Sequence, residues 1–464
     1  MLYVDIAREE DFAKIPDNPA DDYTVKLWDD ITIRGSWTPL KGHNITFCGQ
    51  YHTLRGLTGP LFAQSMDAIG VDPLLPADMD AIASDDITIT NLRIYVDITN
   101  TDRNIMGGLV RLGRRFKATD CAVYVNIIAQ ASLTSDARCI GGVAGMLDDA
   151  SELNHCAVYG SLQCQSEGGG LVGYAKDSHL CGCVNHATVT TVAGETGGIV
   201  GLVEGTFIEG CENAADGTVV SGGDFAGGIA GQILTDCRLE QCTNFATIRG
   251  AASIGGILGT AYLPGSGFRV MGNTNVGAVS GDHWIGGIVG TLGYGYIQVS
   301  NNLSCANVTA DGDAAGGVLG VISDNGGGFP PTTAIGTAFV KNNMVSSTLI
   351  KAATNARRIA GIRDPAVCDL QLYNNQSYID THLDDDVYDD WRVKKDDAEL
   401  GPAKLQGTST FTCAKMNEQS YKPFLAPPPP KPWPKKVVVN GKCIPAPPPI
   451  PEWFKTIQCC HGQY

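Results

Sequence analysis

The sequence is short of several things, and each shortage removes a class of function. Basic residues are outnumbered, 33 Lys and Arg against 49 Asp and Glu, for a net charge of −16. A duplex nucleic-acid partner is therefore not expected, because phosphate neutralisation needs a basic face. No run of 18 apolar residues occurs anywhere in the chain, so no membrane-spanning helix is expected. Aromatic residues make up 7% and charged residues 18%. Glycine is abundant, at 57 of 464 residues, but has no Gly-X-Y period, which excludes collagen. Helical periodicity is missing from the middle of the chain. Also missing are Gly-x-Ser-x-Gly, His-Glu-x-x-His and a phosphate-binding loop, the local signatures of several hydrolases and nucleotide enzymes. The N-terminus, Met1 to Arg8, reaches an acid at Asp5 and lacks the basic start and apolar run of a signal peptide. That fits a mature chain, another export route, or release by lysis.

What is present is a repeated phrase. Gly197-Gly198-Ile199-Val200-Gly201 recurs as Gly-Gly-apolar-(apolar or Ala)-Gly at Gly141, Gly169, Gly227, Gly255, Gly286 and Gly316, with a degenerate copy at Gly107. The steps between copies are 34, 28, 28, 30, 28, 31 and 30 residues. A period of this size marks a repeat architecture. Each repeat holds the Gly pair, a short apolar strand, a Cys or Asn, and a second short strand such as Thr188-Val189-Thr190. Two or three short strands per 28 to 31 residues predict one coil of a parallel β-solenoid. Glycine corners would supply positive φ or close backbone approach. The predicted fold is thus all-β, a parallel β-solenoid (β-helix) of roughly ten coils, about 50 Å long at ~4.8 Å per coil. Residues 1–86 read as an N-terminal cap with lead-in strands, including a short helix at Glu9–Ile15 and an inserted loop over 63–86. The solenoid spans 87–380, with a second loop at 325–336. Residues 381–425 form an acidic C-terminal cap or linker, and 426–464 an extended Pro-rich arm.

The phrase Gly197–Gly201, followed by Cys211-Glu212-Asn213-Ala214 and then Gly227–Gly231, resembles the GLUG motif of bacterial surface and secreted proteins. The likeness covers residues 107 to about 320. It implies a β-solenoid displayed at a cell surface, in an adhesin or a stalk, and it supplies no catalytic residues.

Two columns of residues recur with the repeat. Cys121, Cys183 and Cys211 lie 14 residues after the first Gly of their copies, and Cys156 and Cys242 lie 15 after. One inward position per coil predicts a stack of buried thiols, a role that free cysteine fills well. Stacked side chains point the same way, which suits disulfides poorly, so disulfides are expected instead among Cys413, Cys443, Cys459 and Cys460 of the tail. Asn185, Asn213, Asn244 and Asn275 follow two residues behind the Cys, or behind Asn273 in the last case, and predict a hydrogen-bonded amide ladder. His179, Cys181, Cys183 and His186, one coil from His155 and Cys156, concentrate metal-ligating side chains. Their spacing matches no standard zinc pattern, so neither a metal nor a cofactor is expected. The acids Glu167, Glu195, Glu204, Glu209, Glu212, Asp224 and Asp236 show no shared position, and Asp384–Asp386 with Asp389 and Asp390 lack the Gly and terminal Glu of a Ca²⁺ loop. No catalytic residue is assigned.

The tail carries two polyproline stretches, 426–434 and 445–451, with Trp433, Trp453 and Phe454 embedded, a strand candidate at Val437, Val438 and Val439, and vicinal Cys459-Cys460. Such an arm could dock on a neighbour or add a strand to it. The sequence therefore points to a non-enzymatic extracellular structural or adhesive protein at the cell surface. Its expected partners are copies of itself, assembled through the arm, and surface glycans or host proteins. The alternative is a virion part, a phage tail fibre or tailspike-like protein that binds or cleaves surface polysaccharide.

Overall fold

The structure is a computed structural model. It describes residues 2–15, 23–40, 44–62, 84–101, 105–129, 139–261, 267–293, 295–322, 336–347, 349–363, 368–373, 375–377, 382–384, 437–439 and 442–444. The described chain is a stack of in-register parallel strands. One face is a sheet of 13 strands, from Leu2–Ile6 to Cys368–Tyr373. A second face holds 10 strands, and the Gly-Gly corner is a narrow sheet of 8. The remaining side carries the long strands Arg93–Thr101, Ala122–Ala129 and Ala157–Cys164, and above them pairs of shorter ones. Thirteen rungs at ~4.8 Å make a rod of about 60 Å.

The parallel stack begins earlier than the repeat phrase suggests. Leu2–Ile6 pairs with Tyr23–Leu27, which pairs with Ile45–Cys48, and that strand pairs with Ile87–Thr90, each in register. The segment read as a cap thus supplies three rungs. These rungs have no Gly-Gly corner. The third of them turns instead through Asn44, Gln50 and Tyr51 in the left-handed region and through Gly56. The helix expected at Glu9–Ile15 is a 3-10 turn, Glu9–Lys14, with Asp11 accepting hydrogen bonds from the Ala7 and Arg8 amides. The loops expected at 63–86 and 325–336 lie almost wholly outside the described residues.

Alternation explains the strands. Ala122–Ala129 buries every second residue, the pattern of a strand with one wet face. The inward residues stack by type. Leu153, Leu180, Ile208, Leu239, Val270, Val299 and Val340 form one column, each opposite the next in register and each fully buried. Burying one such side chain stabilises by about 1.5–3 kcal/mol, and a column repeats that gain at every rung.

The Gly-Gly phrase packs one rung on the next. A Cβ on Gly197 would lie 1.8 Å from the Val200 carbonyl oxygen, and one on Gly198 would lie 2.1 Å from the Gly228 oxygen and 2.4 Å from the Asn213 side chain. Neither residue has positive φ. Close approach, not left-handed backbone, is what demands glycine here. Gly198→Ala should therefore destabilise the fold by about 3 kcal/mol. Gly35→Ala, where an added Cβ meets nothing within 4 Å, should be neutral. Urea unfolding of both variants checks the pair, and equal midpoints would overturn the close-packing account.

Candidate functional site

The cysteine and asparagine columns both lie in the interior of the rod. Cys121, Cys156, Cys183, Cys211 and Cys242 are buried thiols without disulfides. Each donates from Sγ to a main-chain carbonyl one rung below, as Cys183 does to Leu153 and Cys211 to Leu180. Burial pushes the Cys121, Cys183 and Cys242 thiols well above the ordinary range, while hydrogen bonds from neighbouring thiols draw Cys156 and Cys211 down; all five are closed off from solvent and act as core filling. Above Cys242 the slot changes chemistry. Asn273, Asn302, Asn343 and Asn375 take it over; the first three donate to the Oδ1 above, and all four donate to a main-chain oxygen below. The second column is made of asparagines throughout. Asn185 donates to Asn213, Asn213 to Asn244 and Asn244 to Asn275, at 3.0, 2.9 and 2.8 Å, and all four are fully buried. Cys305, which the sequence did not single out, is disulfide-bonded.

The tail residues Trp433, Trp453, Phe454, Cys459 and Cys460 lie outside the described residues, as do Asp385, Asp386, Asp389 and Asp390. Val437–Val439 pairs antiparallel with Lys442–Ile444, so the forecast strand has a hairpin partner in its own chain.

The outer surface holds a feature that the repeat does not announce. On the three long strands the register aligns Tyr95, Tyr124 and Tyr159. Their rings stack at 4.3 and 4.7 Å with near-parallel planes, and His186 caps the row at 4.6 Å from Tyr159. Arg55 covers the lower face of Tyr95, its guanidinium carbon 4.2 Å from the ring centre. His186 Nδ1 lies 2.8 Å from Asp216 Oδ1. A parallel polar row stands beside the rings. Asn126 donates to Asp97 at 3.0 Å, and Ser161 donates to Asn126 at 3.2 Å. The three tyrosines with Asp97 and Asn126 line an open groove of about 460 Å³ together with Gly56, Leu57, Thr58 and Gly160, and Ser161 stands against Asn126 at its edge. Gly56 and Gly160 have φ of +81° and +110°, and a Cβ on Gly160 would lie 1.9 Å from the Val125 oxygen. Pairing slips around Gly56, between Leu54 and Leu57, whereas Gly160 stays in register opposite Val125.

The electrostatics are mild. The ring faces cover one another, leaving edges and hydroxyls toward the groove. Burial pushes the Tyr124 hydroxyl up and the Tyr159 hydroxyl up to about 12, with Tyr124 and Asp216 adding to the latter. Both hydroxyls are neutral donors and acceptors at physiological pH. Asp97 is the one carboxylate among the groove-lining residues. Beyond the upper end, burial and the nearby Asp216 carboxylate push Glu212 up to about 7.

The fold and its outer groove define a parallel β-solenoid with an aromatic-lined side cleft. No family model and no curated protein matches the chain. Among solved structures it is similar to a protein from Bacteroides ovatus provisionally described as an immunoglobulin A1 protease, with 15% identity over 69% of this chain and 83% of that one and a TM-score of 0.35.

Glu212 gives a pH prediction. The unfolded chain releases this proton near 4.5, whereas the folded chain holds it to about 7. Between these values the folded state binds more protons, so the group's contribution to stability falls as pH rises through that window and is flat on either side. Glu212→Gln cannot ionise. Calorimetry should find it close to wild type at pH 4.5 and more stable than wild type at pH 8. Identical pH dependence of the two melting temperatures would refute the assignment.

Proposed function

We propose that the protein is a non-enzymatic surface solenoid that binds a linear glycan along the groove of Tyr95, Tyr124 and Tyr159. The observation that carries this reading is the pairing of two rows, hydroxyl-bearing rings and the chain Asp97–Asn126–Ser161, repeated rung by rung along the axis. A polymer laid along the rod meets equivalent donors and acceptors every ~4.8 Å. Neutral hydroxyls, an amide and one carboxylate suit sugar hydroxyls, and mobile sugar rings need no charge complement. Because the aromatic faces are occupied, recognition runs through edges and hydrogen bonds. The single groove carboxylate supports binding over cleavage, since hydrolysis of glycosidic bonds generally uses two carboxyl groups flanking the bond. The likeness of the Gly-Gly phrase to GLUG repeats supports a cell-surface, extracellular setting. Self-assembly through residues 426–464 belongs to the same reading and rests on the sequence of the arm.

A glycan array followed by titration calorimetry tests the proposal. Wild type should retain a set of linear polysaccharides. Asn126→Ala should weaken binding about fivefold, the loss of about 1 kcal/mol for one hydrogen bond. Ser161→Trp, which places a ring in the groove, should abolish binding while leaving the circular dichroism unchanged. Retention of the same glycans by Ser161→Trp, or no glycan bound by wild type, would overturn the reading.

A further inference from the structure

His179, Cys181 and Glu209 come together on the outer face of the 13-strand sheet, away from the tyrosine groove. His179–Cys181 and Phe207–Glu209 are adjacent parallel strands, with His179 opposite Phe207 and Cys181 opposite Glu209. Leu180 and Ile208 point into the core, so alternation turns His179, Cys181 and Glu209 to the same outer side. One ligand atom from each, an imidazole nitrogen, a thiol sulfur and a carboxylate oxygen, lies within 4.8 Å of both others. The group is half sunk into the surface. Cys181 is 6% exposed, and His179 Nε2 is buried with no hydrogen-bond partner. A buried polar atom of this kind costs free energy until something satisfies it. The His179 ring is held in place by Phe207, stacked at 5.0 Å with planes 2° apart. Burial pushes the Glu209 carboxyl up, while His179 opposes that shift and Glu240 adds to it.

We propose that His179, Cys181 and Glu209 form a zinc site that rivets two successive rungs from outside. Nitrogen, sulfur and oxygen donors in one cluster are the set Zn²⁺ takes in tetrahedral sites, and a thiolate excludes the hard cations Ca²⁺ and Mg²⁺. Ligand atoms around a tetrahedral zinc stand roughly 3.5 Å apart, so side-chain rotations of about 1 Å close the triangle. Binding releases the Cys181 proton to solvent and forms the Zn–S bond. The fourth position falls to water or to Glu240, which follows Glu209 in register on the next rung. The ion would satisfy His179 Nε2 and neutralise the half-buried Glu209 carboxylate together. It would also clamp the strands directly outside the thiol column, where Cys183 donates to the Cys181 carbonyl at 3.5 Å.

The test uses the full untagged chain, stripped with chelator and then titrated with Co²⁺ and with Zn²⁺. The wild type should give a thiolate-to-cobalt charge-transfer band that Zn²⁺ abolishes on displacing cobalt, and zinc should raise the melting temperature. Cys181→Ser should remove the band. Glu209→Gln should keep the band and weaken zinc binding at least about tenfold. Substituting Cys459 and Cys460 of the tail together by Ser should leave band and affinity unchanged, which separates this site from the vicinal tail thiols. The interior variant Cys183→Ala serves as a second control and should also keep the band. A wild type without the band, a band that persists in Cys181→Ser, or one that disappears only with the tail cysteines would overturn the proposal.

Discussion

The distance between stacked backbones at the Gly-Gly corner governs most of what this protein is. At Gly198 the chain above passes so near that a methyl group would sit inside contact distance of both a carbonyl oxygen and an asparagine amide. That closeness keeps successive rungs in register, because any slip would drive a side chain into the corner. Register then copies itself outward. Once Gly197 stands over Gly169 and under Gly227, Ile199, Asn213 and Cys211 are each obliged to stand over their counterparts. The ladders are consequences of one steric constraint repeated rung by rung.

Vertical repetition also sets the rule for polar groups. An interior slot that holds one polar side chain per rung can satisfy it only with the same slot above and below, or with the main chain. The column that begins at Cys121 shows two solutions in one rod. Thiols, weak donors, each reach a carbonyl below. From Asn273 upward the slot holds amides, each bonded to the main chain and, up to Asn343, to the next amide. Either solution closes on itself. At the junction the Cys242 amide N–H donates to Asn273 Oδ1 at 2.8 Å, so the change of chemistry leaves no buried donor stranded there.

This logic explains what could be read in the sequence and what could not. The interior obeys the repeat, so the parallel β-solenoid, the thiol column and the Asn185–Asn275 ladder are visible as fixed offsets from a Gly pair. The first three rungs escaped because they lack the phrase, the third turning through Asn44, Gln50, Tyr51 and Gly56 in its place, and register leaves no trace in sequence when corner residues change. The continuation through Asn302, Asn343 and Asn375 escaped because loops of unequal length separate those rungs. The tyrosine row is illegible for the same reason. Tyr95, Tyr124 and Tyr159 are separated by steps of 29 and 35 residues, and only strand pairing shows that the two intervals are each one turn. Glycine was anticipated at this corner for positive φ or close approach, and close approach is the one that applies, a quantity set by the neighbouring rung and not by local sequence.

The outer surface follows a different rule, and specificity has room to arise there. Inward residues must suit the rung above and the rung below, so they converge. Outward residues answer only to solvent and to ligands, so a departure from the repeat on that side costs the fold little. The two outer clusters are both such departures. The tyrosine groove sits where three rungs keep an unbroken eight- or nine-residue strand, while later rungs split the same side around the asparagine corner. At the boundary, Val158 lies opposite Asn185, and His186 caps the ring stack. The groove therefore ends where the asparagine ladder begins, and the rod's interior chemistry fixes the length of the surface that a polymer could occupy. The trio of His179, Cys181 and Glu209 lies on the adjoining 13-strand face, on the first two rungs that carry the split pattern. A cross-strand clamp there would hold the first two split rungs in register, one step above the last long strand, Ala157–Cys164.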